Sequence, residues 1–106
     1  MAKYLIQGSY TAEGLKGVLK EGGSGRVAAV EAALKGLGGK LESFYFGFGG
    51  SDVYVTVECP DNVTMAALSM GVSATGTVAT TTIVLLTPQE IDEAAKKTLA
   101  FRAAGR

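Results

Sequence analysis

A carboxylate and two phenols are the side chains of this sequence best suited to acid–base chemistry. Asp52 and Tyr54 lie two positions apart in a stretch of alternating residues, so both project from the same face of a strand. Tyr45 shares that face if its strand pairs with theirs. A carboxylate there could act as a general base, and a phenol could position an oxyanion. The phenols of Tyr45, Tyr54 and Tyr10 could also line a pocket or act as acids. The competing interpretations are that Asp52 bonds turn amides and that the tyrosines belong to an interface.

The composition excludes several other chemistries. The chain contains no His and one Cys, which removes Ser-His-Asp and Cys-His nucleophile pairs, His-ligated zinc and haem held by a proximal His. Cys59 has no partner for an internal disulfide, and it is interpreted as a structural thiol. We therefore expect neither a metal nor a cofactor.

The charge balance bears on the partners of the protein. Ten Lys and Arg residues against ten Asp and Glu residues give no net charge. Nucleic acid and anionic membranes both attract a basic surface, so we expect neither as the main partner. The first residues carry one positive charge and a short apolar run, which is not typical of a signal peptide and predicts a cytoplasmic protein. A length of 106 residues predicts a single domain over residues 1–106.

Alternation and helical spacing predict the elements that position these residues. Strands are predicted over residues 3–10, 40–48, 52–58 and 77–86, with helices between the first and second strands and between the third and fourth. Asn62 is predicted to cap the second of these helices. The order β-α-β-β-α-β predicts an α+β, ferredoxin-like fold with a four-stranded antiparallel sheet and helices on one face.

A last helix is predicted after the fourth strand. Thr87 to Glu90 has the pattern of a capping box, with Pro88 at the first helical position. Helical spacing predicts that this helix turns its apolar residues inward, namely Ile91, Ala94, Ala95 and Leu99.

Residues 22–25, Gly-Gly-Ser-Gly, are predicted to interrupt or kink the first helix. Residues 23–28 also fit the relaxed dinucleotide-binding pattern. They follow a helix instead of a strand, however, so a flexible break is the favoured interpretation. Weak capture of an anion by the backbone amides of Gly25 and Arg26 stays open.

The face of the sheet turned away from the helices is predicted to be of mixed character. With Phe44, Phe46, Phe48 and the valines of the third strand towards the helices, it carries Leu5, Gln7, Ser9, Leu41, Ser43, Tyr45, Tyr54, Thr56, Ala79, Thr81, Ile83 and Leu85. This mixture is too polar for a core and too apolar for open water, and it is typical of an interface. We therefore predict a homodimer through the sheet face, with further assembly left open.

Several short motifs, in their order along the chain, resemble the GYD domain family. They are residues 3–7, 10–14, 37–42, 44–45, 48–49, 52–54, 60–62 and 85–88. The resemblance spans about residues 3 to 95, nearly the whole of an ordinary domain. It implies a small bacterial-type protein of the dimeric α/β-barrel superfamily, which includes cofactor-free oxygenases, isomerases, haem enzymes and ligand-sensing domains. The biochemical role of the family itself is generally unassigned.

The sequence departs from the motif for which the family is named. Gly50-Ser51-Asp52 stands where the resemblance implies Gly-Tyr-Asp, and Ala79 and Thr81 stand where basic residues are expected in relatives. Asp52 is the motif residue that is retained. The loss of a phenol and two cations leaves the predicted site less suited to an anion.

Three functions remain open at this point. The first is a homo-oligomeric domain that binds a small polar-aromatic molecule, either between the sheet and the helices or between two sheets, with the ligand-binding residues Gln7, Tyr45, Asp52, Tyr54 and Thr81. The second is a cofactor-independent oxygenase or isomerase in which Asp52 is the base. The third is a purely structural assembly module.

Overall fold

The computed structural model describes all residues from Met1 to Arg106. Its elements follow the predicted order, including the last helix: β1 (Ala2–Tyr10), α1 (Ala12–Gly36), β2 (Lys40–Phe46), β3 (Val53–Cys59), α2 (Asn62–Ser73), β4 (Val78–Leu85) and α3 (Pro88–Ala95). The four strands form one antiparallel sheet in the order β2-β3-β1-β4. The ferredoxin-like α+β fold is therefore confirmed. None of the three helices combines the length and the apolar character needed to cross a membrane.

Strict alternation in β3 separates the two faces of the sheet. Val53, Val55, Val57 and Cys59 are buried beneath the helices, while the residues between them point the other way. Tyr4, Leu34, Met65 and Leu68 complete the buried cluster. Burial also raises the pKa of the Cys59 thiol above its usual value, as expected for a structural cysteine.

The predicted directions of Leu41 and Phe48, both assigned to the second strand, were wrong. The register of β2 on β3 shifts between Leu41 and Ser43, which marks a β-bulge at Glu42. The extra residue turns Leu41 towards the helices, where it packs on the core, and leaves Ser43 on the opposite face. Phe48, predicted to face the helices, lies beyond the end of β2 and is fully exposed.

Helix α1 is broken at Gly22, as the glycine-rich stretch predicts. Gly22 has φ 80° and ψ 168°, a conformation that glycine adopts at little cost. The break divides α1 into a crossing segment, residues 12–21, and an edge segment, residues 23–36.

The crossing segment runs from one edge strand of the sheet to the other. A Cβ at Gly14 would overlap the carbonyl oxygen of Thr77, just before β4, and a Cβ at Gly23 would lie 3.1 Å from the Phe46 ring at the end of β2. Nine positions separate the two glycines, a helical rise of about 13 Å. Three interstrand spacings span about 14 Å, so the crossing segment has the length needed to cross the sheet.

Helix α2 is capped by Asp61 instead of the predicted Asn62. The Thr64 backbone N–H donates to Asp61 Oδ1 at 2.8 Å, and this bond holds the pKa of the Asp61 carboxyl below its usual value. Asn62 is the first residue of the helix, and its Oδ1 accepts from the buried Tyr4 hydroxyl at 2.6 Å. Of two adjacent residues able to cap, the asparagine is held by Tyr4, which leaves the aspartate as the cap.

Helix α3 does not pack as predicted. The capping box of Thr87 and Glu90 is present. The helix ends at Ala95, however, and none of Ile91, Ala94, Ala95 and Leu99 is buried. Helix α3 makes no extensive contact with any other helix or strand. The end of the chain therefore extends the molecule to 56 Å along its longest axis.

We expect Gly14→Ala to lower the free energy of unfolding by roughly 1–3 kcal/mol, the usual cost of forcing extra atoms into a closed contact. Gly17→Ala is the matched control, because a Cβ at this position of the same segment meets nothing within 4 Å. Its helix propensity should raise stability by about 0.5–1 kcal/mol. Urea unfolding measures both, and equal stability of the two variants would contradict the close contact at Thr77.

Candidate functional site

The main cavity of the protein lies between the sheet and the two long helices. Helix α1 lies mainly over β2 and α2 over β4, so the central strands β3 and β1 are covered less extensively and a space remains between the two helices. The crossing segment of α1 passes over one end of this gap. The space has a volume of about 530 Å³, within the usual range of about 300–1,000 Å³ for small-molecule sites.

The lining is mainly apolar. The sheet contributes the floor, α2 one wall and the edge segment of α1 the other; the apolar members are Ile6, Ala29, Val30, Ala33, Phe44, Val53, Val55, Met65, Leu68, Val72 and Val78. Ala29 and Ala33 remain exposed to solvent although they line the cavity. The cavity is therefore open along the edge segment.

Polar groups enter the cavity at two places. Ser69, Thr80 and Thr82 bring hydroxyls to the α2 side, where the Ser69 and Thr80 oxygens lie 3.4 Å apart. Tyr10 and Arg26 lie close to one another under the break in α1. An apolar space with a few polar groups can hold an amphiphilic molecule in one orientation.

The group around Tyr10 and Arg26 is electrostatically mixed. Arg26 Nη1 donates to Glu21 Oε1 at 2.7 Å, and Glu13 also lines the cavity. Burial raises the pKa of the Tyr10 phenol, and the Arg26 charge acts against this shift. The phenol therefore keeps its proton at neutral pH and is available as a hydrogen-bond donor.

Four of the five sequence-predicted site residues form one row on the opposite face. Tyr45 pairs with Tyr54, Tyr54 with Gln7, and Gln7 with Thr81, so the row crosses all four strands. Tyr45 is 70% exposed and Tyr54 36% exposed. The structure thus brings these four together, but none of them lines the cavity between sheet and helices.

Asp52 is held apart from this row by backbone hydrogen bonds. Its Oδ2 accepts from the Tyr10 backbone N–H at 2.8 Å, and its own N–H donates to the Gly8 carbonyl oxygen at 2.8 Å. Asp52 also receives the Gly47 N–H on its backbone oxygen, which closes the turn between β2 and β3. The carboxylate thus bonds an amide, as one interpretation held, but an amide of β1 and not of the turn.

We expect Asp52→Ala to lower the free energy of unfolding by roughly 1–2 kcal/mol, because it leaves the half-buried Tyr10 N–H without a partner. Asp52→Asn keeps a side-chain oxygen at this position and should retain most of the stability. Denaturant unfolding distinguishes the two variants. If Asp52→Ala is as stable as the unchanged protein, the bond to Tyr10 does not hold this end of the sheet.

Sequence reasoning missed the residues that line the cavity. Tyr10 was noted as one of three phenols that could line a pocket, without being assigned to this one, and Arg26 was noted only for its backbone amide. One signal was present: a Gly-rich break followed by an Arg whose side chain faces the same way as the apolar stripe of Val27, Val30 and Leu34. The structure contains no cluster of three or more His, Cys, Asp or Glu side chains that could hold a metal ion.

Comparison with known proteins identifies a family. The model of the GYD domain matches residues 4–95 of the chain, which include every strand from Tyr4 onward and all three helices. No curated protein and no solved structure matches the chain.

Proposed function

Since this chain belongs to the GYD domain family, we propose that it is a homodimeric domain that binds a small, largely apolar molecule in the cavity between sheet and helices. The outer face of the sheet, which is the face turned away from the helices, is then the dimer interface. The family resemblance implies a superfamily of dimeric α/β barrels, and the two faces of this sheet suit these two tasks.

The observation that carries the binding proposal is the gap between α1 and α2. Side chains at the centre of a sheet normally pack closely against a helix, yet here Ile6 and Val55 line a space of about 530 Å³. Leaving apolar surface accessible to water costs free energy, at about 25 cal/mol for each Å². A ligand that covers the half-buried part of the lining, namely Ile6, Val30 and Phe44, recovers part of that free energy, which favours binding.

The composition of the outer face supports dimerisation. Charged groups gather at one end, where Lys3 Nζ lies 2.7 Å from Glu42 Oε1 and 3.8 Å from Glu58 Oε1. The rest of the face carries aromatic, aliphatic and hydroxyl groups, among them Tyr45, Tyr54 and the half-exposed Ile83. Aromatic side chains of this kind are enriched at interfaces.

A catalytic role for Asp52 has less support. The carboxylate bonds the Tyr10 amide and does not line the cavity, and a general base must reach the proton that it removes. The oxygenase or isomerase alternative would require a substrate bound between two sheets, close to Tyr45 and Tyr54.

Binding is tested with the fluorescent apolar probe N-phenyl-1-naphthylamine. We expect a saturable rise in fluorescence with the unchanged protein. Ala29→Phe places a ring in the cavity, displaces contacts worth roughly 1–2 kcal/mol and should weaken binding by about tenfold. Ala28→Phe is the control, because Ala28 is exposed and does not line the cavity. Equal affinity of the two variants, or no saturable binding at all, would refute the site and leave the structural-module alternative.

The dimer is tested by light scattering at micromolar concentration. We expect twice the chain mass of 10.9 kDa. Tyr54→Lys places a charge in the middle of the outer face and should yield the single-chain mass, since an unpaired buried charge is costly. Ala32→Lys, on the exposed side of α1, should remain dimeric. A single-chain mass for the unchanged protein would exclude the sheet-face dimer.

A further inference from the structure

Arg26 is the positive side chain that lines the cavity, and most of its hydrogen-bonding capacity is free. A guanidinium carries five N–H donors in a planar fork. In this structure Nη1 donates to Glu21 Oε1, and the guanidinium also contacts the Tyr10 phenol. The remaining donors are therefore available to a molecule in the cavity.

The Tyr10 hydroxyl lies beside this guanidinium. It is a second polar group facing the same space, because the phenol is half-buried, lines the cavity and interacts with the guanidinium. In this contact the phenol oxygen accepts, so its own O–H remains free to donate to a bound molecule. A planar fork and a neighbouring hydroxyl donor together match the two oxygens of a carboxylate. Below them the cavity continues as apolar wall and floor, formed by Val30, Phe44, Val53 and Leu68.

We propose, as an extension of the function proposed above, that the cavity binds an apolar organic acid, with its carboxylate on Arg26 and the Tyr10 hydroxyl and its hydrocarbon body over the sheet. This assigns the chemical class of the ligand and its orientation. The carboxylate lies under the break in α1, and the body points towards Met65 and Leu68.

Glu21 sets the strength of this interaction. Its carboxylate occupies one donor of Arg26 and adds negative charge to this end of the cavity. Both Arg26 and Glu21 are partly exposed, with side-chain exposures of 36% and 42%. Glu21 therefore competes with a bound carboxylate, so its removal should tighten binding, while removal of Arg26 should weaken it.

Three naphthalene probes of the same size test the charge of the ligand. We expect 2-naphthoate to bind at least about tenfold more tightly than neutral 2-naphthamide, since hydrogen bonds between charged groups are roughly twice as strong as neutral ones. Positively charged 2-naphthylmethylammonium should bind most weakly. Isothermal titration calorimetry measures all three, at low salt and with the dimeric protein.

Two substitutions test which side chains cause the preference for the naphthoate over the naphthamide. Arg26→Gln should remove the advantage of the naphthoate, so that the ratio of the naphthoate affinity to the naphthamide affinity falls from about tenfold towards one. Glu21→Gln should raise the affinity for the naphthoate severalfold, a gain that a loss of folding cannot produce.

The outcomes separate this inference from the proposed function. Equal binding of naphthoate and naphthamide, unchanged by Arg26→Gln, would overturn the organic-acid assignment and leave an apolar binding cavity. Preference for the ammonium probe would assign the site to the carboxylates of Glu13 and Glu21 and also overturn it. Failure of all three probes to bind would contradict the cavity site itself.

Discussion

The backbone of α1 meets the start of β4 with no room for a side chain at Gly14, and this contact determines where the helix crosses the sheet. The Thr11 N–H donates to the Thr77 carbonyl oxygen at 2.9 Å and fixes the same corner. From there the crossing segment reaches the far edge strand, and the break at Gly22 redirects the chain along β2. The two long helices are thereby held over the edges of the sheet, so the gap between them follows from the path of α1.

The valines of β3 serve both as core and as cavity floor. Val57 and Cys59 are covered completely, while Val53 and Val55 are also buried and line the cavity. The same alternation places Tyr54 and Thr56 on the outer face, where Tyr54 belongs to the row that crosses the sheet. One strand thus separates a binding face from an association face, and a change of register by one residue would exchange them.

The sequence predicted the elements that depend on local pattern and missed what depends on their packing. Alternation located β3, and the capping box at Thr87 located the start of α3. The bulge at Glu42 could not be read from alternation, because an extra residue looks like an ordinary position until its partner strand is known. That one residue reversed the direction of Leu41.

The candidate site was less predictable than the fold. The cross-strand register brings Gln7, Tyr45, Tyr54 and Thr81 together. The alternation of side chains along each strand had already placed all four on the same face of the sheet. The cavity needs the positions of two helices relative to the sheet, and those depend on a contact between residues 14 and 77 that no local pattern contains. The role of Arg26 also depends on this packing, because only the fold brings its side chain beside Tyr10.

A crystal structure of the protein grown with 2-naphthoate tests the central claim most directly, because it locates ligand and interface together. We expect ligand density between α1 and α2, with the carboxylate on Arg26, and two chains paired through the rows of Tyr45 and Tyr54. Ligand density between the two sheets beside Tyr54, with the cavity over Val55 filled only by solvent, would contradict it.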